Sequence, residues 1–167
     1  SSRRNLELVE TMREKQKKGS LLWVLDKTKT AMGARALRNL VLQPLINRDE
    51  IISRQDAIEE LSDNVIDREE IREYLGPIYD LERIMTKISC KSANPRDLIA
   101  FKNSLEMIPH IKNQIGHFKC EVFRKCYEQM DDLTDLYELI DKAIVDDPPI
   151  TMRDGGMIKE GFCAEAD

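Results

Sequence analysis

The two histidines are the first residues to test for chemistry, because imidazole serves both as a metal ligand and as a general base. His110 and His117 lie seven residues apart, which places them on roughly one face of a helix. Cys120 and Glu121 follow just beyond them. A zinc site, however, is built from several ligands at tighter paired spacing, and Gly116 interrupts a continuous helical site. The spacing favours exposed or packing roles for both histidines over metal binding.

Adjacent carboxylates are also frequent, as at Glu59–Glu60 and Asp131–Asp132. Successive residues of a helix point about 100° apart, so neither pair forms an acid–base dyad, and both are expected to be solvent-facing charge. The common catalytic and nucleotide-binding signatures GxxxxGKS/T, GxGxxG, GxSxG and HExxH do not occur. The sequence predicts no catalytic residue, no cofactor-binding residue and no metal ligand.

The basic residues near the front of the chain are candidates for phosphate contact. Lys15, Lys17 and Lys18 form a flexible cluster, and Arg35 lies one helical turn before Arg38. No aromatic residues are interleaved with them for base stacking, so any contact with nucleic acid would rest on counterion release without sequence readout. Solvated or intramolecular roles for these charges are favoured over direct nucleic-acid binding.

Length and composition predict one compact domain, or slightly more, that can bury a hydrophobic core. The chain has 167 residues, of which 41% are hydrophobic and 34% charged, and its net charge is −5. Residues 1–54 carry 12 basic and 6 acidic side chains, whereas residues 55–167 are acidic overall. No apolar run reaches the ~18 residues of a membrane span, and neither a secretion leader nor a CxxC pair is present. These features predict a cytoplasmic protein with reduced thiols and no membrane partner.

The front of the chain predicts two consecutive helices. Ser20 is a suitable N-cap for a short apolar turn over residues 21–25. Thr30 is a suitable cap for a helix over residues 31–43, which Pro44 ends because proline lacks a backbone donor.

The longer helices follow from residue 47 onward. Asn47 with Glu50 resembles a capping box, and Asn94 followed by Pro95 indicates the start of a long helix that Pro109 should kink. A further helix is predicted within residues 131–144. The apolar stripes expected to face the core are Ile51, Ile58 and Leu61; Leu98, Phe101, Leu105, Ile108 and Ile115; and Leu133, Leu136, Tyr137, Ile140 and Ile144.

Two short β elements are predicted at the ends of the chain. Alternating apolar residues within residues 3–10 favour a strand, and residues 150–152 and 157–159, joined by a turn at 153–156, are typical of a hairpin. The expected fold is therefore mainly α: an orthogonal multi-helical domain with a small β element contributed by the N- and C-terminal segments.

Several stretches carry a resemblance to a known family. The longest is GSLLWVLDKTKTAMGAR, at residues 19–35, followed by LQPL. The remaining matches are RRNLEL, RQDAIEEL, YDLER, PRDL, DPP and RDGGMI, in that order along the chain. Together they closely resemble the core domain, domain III, of the MutS DNA mismatch-repair family, up to the start of its clamp domain.

The resemblance implies that the chain is a middle piece, with the core at residues 1–147 and a passage toward the clamp at residues 148–167. In the family, a Phe-x-Glu mismatch reader precedes the core, and a domain that binds ATP and Mg follows the clamp. Neither pattern occurs here, so no cofactor is expected in this chain. The implied role is to transmit the nucleotide state to the grip on mismatched double-stranded DNA. The implied partners of the full-length protein are a second copy and MutL-type repair proteins, in the cytoplasm at the bacterial nucleoid.

Within that role, the helix over residues 31–43, packed on residues 21–25, is predicted to form a rigid hub. The predicted hub residues are Leu21, Leu25, Gly33, Leu37 and Pro44. Gly33 lies inside a helix, where glycine costs about 1 kcal/mol relative to alanine. The glycine therefore suggests close approach of another backbone. The alternative is that the helix simply tolerates the cost of the glycine.

A second function from a different class also fits the residues. The acidic segment from Glu128 to Asp147 could serve an autonomous helical adaptor that binds a basic protein.

Overall fold

The computed structural model describes residues 2–149 and 155–162 and confirms the mainly helical class. Helix α1 is a single turn, and α7 is the longest of the described helices. The helices are α1 Ser2–Asn5, α2 Leu21–Leu25, α3 Ala31–Leu42, α4 Arg48–Asp63, α5 Val65–Leu75, α6 Leu81–Ser89, α7 Pro95–Ile115, α8 Glu121–Gln129 and α9 Thr134–Ala143.

The predicted N-caps are confirmed. The Ser20 hydroxyl accepts a hydrogen bond from the Trp23 N–H at 3.3 Å, and the Thr30 hydroxyl accepts one from the Gly33 N–H at 3.0 Å. Asn47 caps α4 through its side-chain oxygen, and Asn94 forms a complete capping box with Asp97 at the start of α7. Short polar side chains thus satisfy N–H groups that a helix start leaves without partners.

Helix α7 lies at the centre of the buried core. It contacts α5, α6, α8 and α9, and Leu105 on this helix is only 2% exposed. One buried cluster consists of Ile78, Ile111, Ile115 and Phe118; the other consists of Ile84, Phe101, Leu105 and Ile140. Because α7 contributes to both clusters, its predicted apolar stripe is confirmed, and the helix continues through Pro109 to Ile115.

The predicted β element is not supported by the structure. Among the described residues no strand forms, and the only β pairing is a single antiparallel bridge between Ile144 and Ile158. At the front, the carbonyls of Glu7 and Leu8 accept hydrogen bonds from the first N–H groups of α2, at 3.1 and 2.8 Å. The segment over residues 3–10 therefore accepts hydrogen bonds from the start of α2 and does not pair as a strand. The predicted strand at 150–152 lies outside the described residues.

One predicted apolar face is also wrong in part. Ile58 of α4 is 62% exposed, whereas Ala57 beside it is buried. Leu61 packs against the core, one turn after Ala57. The face of α4 that packs on the core is therefore shifted by one residue from the face predicted from its large aliphatic residues.

No helix among the described residues combines the length and apolarity needed to cross a membrane. Cys90, Cys120 and Cys126 are free thiols, and Cys163 lies outside the described residues.

Leu105→Ala is expected to lower the free energy of unfolding by about 2–5 kcal/mol, because it leaves a cavity in the centre of the core. Urea denaturation of the purified chain measures this change. Leu139→Ala, at a leucine of α9 that is 52% exposed, is the matched control and should cost less than about 0.5 kcal/mol. Similar losses for both variants would show that α7 is not the centre of the core.

Candidate functional site

Arg35 of α3 ties the front of the chain to the start of α6. Its Nη1 and Nη2 atoms donate to the two Asp80 oxygens, both at 2.7 Å, in a bidentate pair. Its Nε donates to Glu82 Oε2 at 3.0 Å, and Nη2 also contacts Glu82. Asp80 is at the same time the N-cap of α6 and accepts a hydrogen bond from the Arg83 N–H. One guanidinium therefore holds the end of one helix relative to another.

The electrostatics of this pair are strongly perturbed. Its hydrogen bonds with the Arg35 guanidinium lower the pKa of Asp80 from 3.8 to about 2, against a smaller opposing effect of burial. The same bonds raise the pKa of Arg35. The Asp80 side chain is 17% exposed, which shields the pair from part of the solvent screening that weakens surface ion pairs.

The ion pairs also bear on whether the basic residues near the front of the chain are available for phosphate contact. It is engaged within the chain, and Lys17 pairs with Asp26. For Lys15, Lys18 and Arg38, the described part of the chain offers no ion pair. The intramolecular role is thus the observed one for two of the five predicted positions.

Lys102 forms a second charged tie, at the edge of the core. It is 9% exposed on α7, and its Nζ donates to Asp141 of α9 at 3.0 Å and to Asp146 just after α9 at 3.4 Å. Burial lowers the pKa of Lys102, but the two carboxylates outweigh it, so the net pKa is raised. The two carboxylates are 46% and 80% exposed, so solvent screens this ion pair and it orients α9 against α7 more than it stabilises the fold.

Further hydrogen bonds hold the outgoing chain, which is the segment after α9. Lys159 donates to the Asp141 carbonyl at 2.7 Å, and the Lys159 N–H donates to the Ala143 carbonyl at 2.9 Å. On the other side, Arg96 of α7 donates to the Pro148 carbonyl at 3.1 Å. The outgoing chain is therefore attached to both α7 and α9.

Helix α8 is capped from a distance. The Glu60 carboxylate of α4 accepts from the N–H groups of Lys119 at 2.5 Å and Cys120 at 2.9 Å. Burial raises the pKa of Glu60, but the two backbone donors have the larger combined effect in the opposite direction. The net pKa is therefore lowered, and the carboxylate stays ionised. Burial and the nearby Glu60 raise the pKa of the Cys120 thiol, which disfavours a reactive thiolate.

The predicted hub residues lie at the periphery of the structure. Leu21, Leu25 and Pro44 are exposed, and Gly33 and Leu37 are half-buried. A Cβ at Gly33 would meet the Thr30 hydroxyl at 3.0 Å and the Thr28 side chain, which belong to the preceding turn. The atoms nearest to such a Cβ thus come from the preceding turn and not from another backbone, and the role of the five residues as a hub stays a prediction.

The two histidines are placed apart. His110 stacks on Tyr74 with ring centroids 5.1 Å apart, and the His117 Nδ1 lies 3.2 Å from Asp67 Oδ1. Within residues 2–149 and 155–162, no group of three or more His, Cys, Asp or Glu side chains could hold a metal ion.

The acidic segment from Glu128 to Asp147 is partly neutralised from within. Lys102, Lys112 and Lys142 pair with acidic side chains of this segment. The acidic members of these pairs are Asp132, Glu138, Asp141 and Asp146. A basic protein would meet less free charge here than the sequence indicates.

Comparison with known proteins assigns the chain to a family. The sequence profile of the family described as MutS domain III matches residues 1–165. The chain belongs to the MutS domain III family. In this MutS domain, the Arg35 tie joins the MGAR and YDLER stretches, which are 45 residues apart.

Several similar curated proteins are described as DNA mismatch repair protein MutS. The one from Lachnoclostridium phytofermentans is 66% identical over all 167 residues, and this chain covers 18% of its length. Those from Acetivibrio thermocellus and Ruminiclostridium cellulolyticum are 53% and 54% identical, with 19% of each covered. The chain thus spans less than a fifth of the length of these MutS relatives.

Asp80→Asn is expected to destabilise the domain at pH 7 and to reduce its loss of stability in acid. Asparagine retains the helix cap but not the charge. Because the pKa of Asp80 falls from 3.8 to about 2 on folding, its ionisation stabilises the fold above pH 3.8, and this contribution is lost as the pH falls toward 2. Urea denaturation between pH 7 and pH 2.5 measures the effect.

Asp56→Asn is the control for that experiment, since Asp56 is exposed and is not in an ion pair within the described ranges. Its pH profile should parallel that of the unmodified chain. A profile for Asp80→Asn that also runs parallel to it would contradict the coupling of Asp80 to Arg35.

Proposed function

We propose that this chain is the structural and allosteric core of a MutS mismatch-repair protein, and that it couples the state of an ATPase domain to the grip of a clamp on DNA. The family membership supports the assignment, and the Arg35 tie between α3 and the start of α6 is the observation that carries the coupling. The chain itself has a non-catalytic role.

The proposed coupling needs parts that move as rigid bodies and connections that do not slip. Helix α7 supplies the rigid part, because both of its ends are buried in apolar clusters. The connections are charged and directional: Arg35 at the front, and Lys102 with Arg96 at the outgoing chain. A displacement at one end would therefore move the other end instead of being absorbed by side-chain rearrangement.

The full-length protein would supply the chemistry. Its substrate would be mismatched double-stranded DNA, and its ATP and Mg would bind in a separate ATPase domain. It would act as a homodimer with MutL-type partners, in the cytoplasm at the nucleoid. The names of the relatives support the repair role, and the gene provides a direct check: reading past residue 167 should show a GxxxxGKS/T loop. A stop codon or an unrelated domain would favour the adaptor function instead.

Arg35→Lys in the full-length protein is expected to slow the ATP-dependent release of mismatched DNA by about tenfold, a typical size for a lost coupling energy. Lysine keeps the positive charge but lacks the planar fork that holds Asp80 and Glu82 together. Stopped-flow fluorescence with a labelled mismatched duplex measures the release.

Arg38→Lys, one turn further along α3, provides the matched control, because Arg38 is exposed and lacks an ion pair in the part of the chain described. DNA affinity without nucleotide and ATP hydrolysis without DNA should stay unchanged in both variants. Normal release by Arg35→Lys, in a folded protein, would refute coupling through this tie.

The 167-residue chain alone is expected to bind matched and mismatched duplexes equally and to hydrolyse no ATP. Any binding should be weak and fall steeply with salt, because only phosphate contacts by unpaired basic side chains are available. Fluorescence anisotropy at low and moderate salt measures the binding. Preference for the mismatched duplex would overturn the proposed division of labour.

A further inference from the structure

A local excess of positive charge lies at the front of the chain. Residues 11–29 carry six basic and two acidic side chains, although the whole chain has a net charge of −5. We define the front lysine cluster as the four lysines of this segment that are exposed and that no ion pair engages in the described part of the chain. They are Lys15, Lys18, Lys27 and Lys29.

One ion pair brings the two halves of the front lysine cluster together. Lys17 Nζ contacts Asp26 Oδ2, which places the loop over residues 15–18 beside the turn over residues 26–29. Each lysine of the cluster is at most three residues from Lys17 or Asp26, and three residues of extended chain span about 11 Å at most. The backbone positions that carry the four ammonium groups are therefore close together in space.

The turn that carries half of the cluster has a fixed shape. Asp26 Oδ1 accepts hydrogen bonds from the Thr28 N–H at 3.2 Å and from the Thr28 hydroxyl at 2.6 Å. From the other side, Arg72 of α5 donates to the Lys27 carbonyl at 3.4 Å. These bonds hold the backbone, whereas the lysine side chains themselves stay exposed and free to turn.

The carboxylates of this segment do not neutralise the cluster. Hydrogen bonds from Lys17 and Thr28 lower the pKa of Asp26 from 3.8 to about 2, so Asp26 stays ionised and its charge is matched by Lys17. Glu14 is the other acidic side chain of residues 11–29, and it faces four lysines that have no partner of their own. Uncompensated cations this close together create a positive potential that attracts a polyanion.

We infer that the front lysine cluster binds the phosphate backbone of duplex DNA through charge, without reading the base sequence. This inference rests on the proposed function, in which DNA is the polyanion that the full-length protein meets. Lysine is a flexible point charge, which suits phosphates at variable positions, whereas bidentate readout of bases relies on planar side chains. The loop over residues 11–20 and the turn over residues 26–30 contain no aromatic residue, so they offer no stacking platform for single-stranded bases.

The salt dependence of DNA affinity tests the inference. In the full-length protein, the double variant Lys27→Gln, Lys29→Gln should lower the slope of log affinity for a matched duplex against log salt by about 2. The reason is that each lost phosphate contact contributes about 0.9 to this slope. Fluorescence anisotropy without nucleotide, at several salt concentrations, measures the affinity. An unchanged slope would overturn the inference.

The double variant Lys91→Gln, Lys119→Gln is the matched control. Both lysines are exposed, and within the described ranges neither is in an ion pair. The control removes the same charge from the protein but leaves the front lysine cluster intact, so its slope should equal that of the unmodified protein. An equal loss of slope in the control would contradict a defined contact, because net charge alone would then explain the effect.

Acetylation of lysine amines locates the contact directly. A matched duplex should slow the acetylation of the front lysine cluster in the full-length protein several-fold, because the ammonium groups are covered by phosphates. Lys91 and Lys119 are the internal controls and should react at the same rate with and without the duplex. Mass spectrometry of the lysine-containing peptides measures the rates. Absence of protection by the duplex would refute the contact.

Other partners of the cluster give different results. If the cluster reacts more slowly in the full-length protein than in the 167-residue chain when no DNA is present, another part of the polypeptide covers it and the inference is wrong. Equal protection by polyglutamate, at the same concentration of negative charge, would assign the cluster to acidic proteins and likewise overturn it. All of these measurements are made without nucleotide. They can therefore fail while Arg35→Lys still slows ATP-dependent release of DNA, and the reverse is also possible.

Discussion

The burial of α7 is the constraint on which the rest of the structure depends. This helix contributes to both apolar clusters, and the elements packed around it are α5, α6, α8 and α9. Two clusters on one helix couple the packing at the rear of the domain, because neither cluster can open without exposing part of α7. Its start is fixed locally by the Asn94–Asp97 capping box, so its register does not depend on the neighbours.

Charged side chains then attach the outer helices and the outgoing chain, which the apolar core does not hold. Arg35 links α3 to α6, Glu60 links α4 to the start of α8, and Lys102 links α7 to α9 and the outgoing chain. Each tie has a definite direction, because hydrogen bonds fix geometry in a way that apolar contact does not. This division suits a domain whose proposed role is to pass on movement, since the core resists deformation while the ties determine which outer elements move with it.

The sequence predicts the locally determined features and misses those set at long range. The caps at Ser20, Thr30 and Asn94 and the stripe of α7 depend on neighbours a few residues away, and they were predictable. Helix α8 lacks a local side-chain cap, and its cap, Glu60, is 60 residues away, so no local signal marks its start. The partners of Arg35 are hidden in the same way, although both motifs are conspicuous in the sequence. The strand predicted at residues 3–10 fails because two of its carbonyls serve α2 instead.

The two ends of the domain differ in how many apolar side chains they bury. The rear buries aliphatic and aromatic residues from α6 to α9, whereas at the front four of the five residues of α2, the only tryptophan among them, are 45–58% exposed. Hydrophobic burial is the main source of folding free energy, so a sequence that keeps such side chains at a surface is paying a cost in stability and solubility within this chain. None of the residues of α3 is buried, so its attachment to α6 depends on polar contacts, and the bidentate geometry of the Arg35 guanidinium on Asp80 opposes both sliding and rotation of one helix against the other.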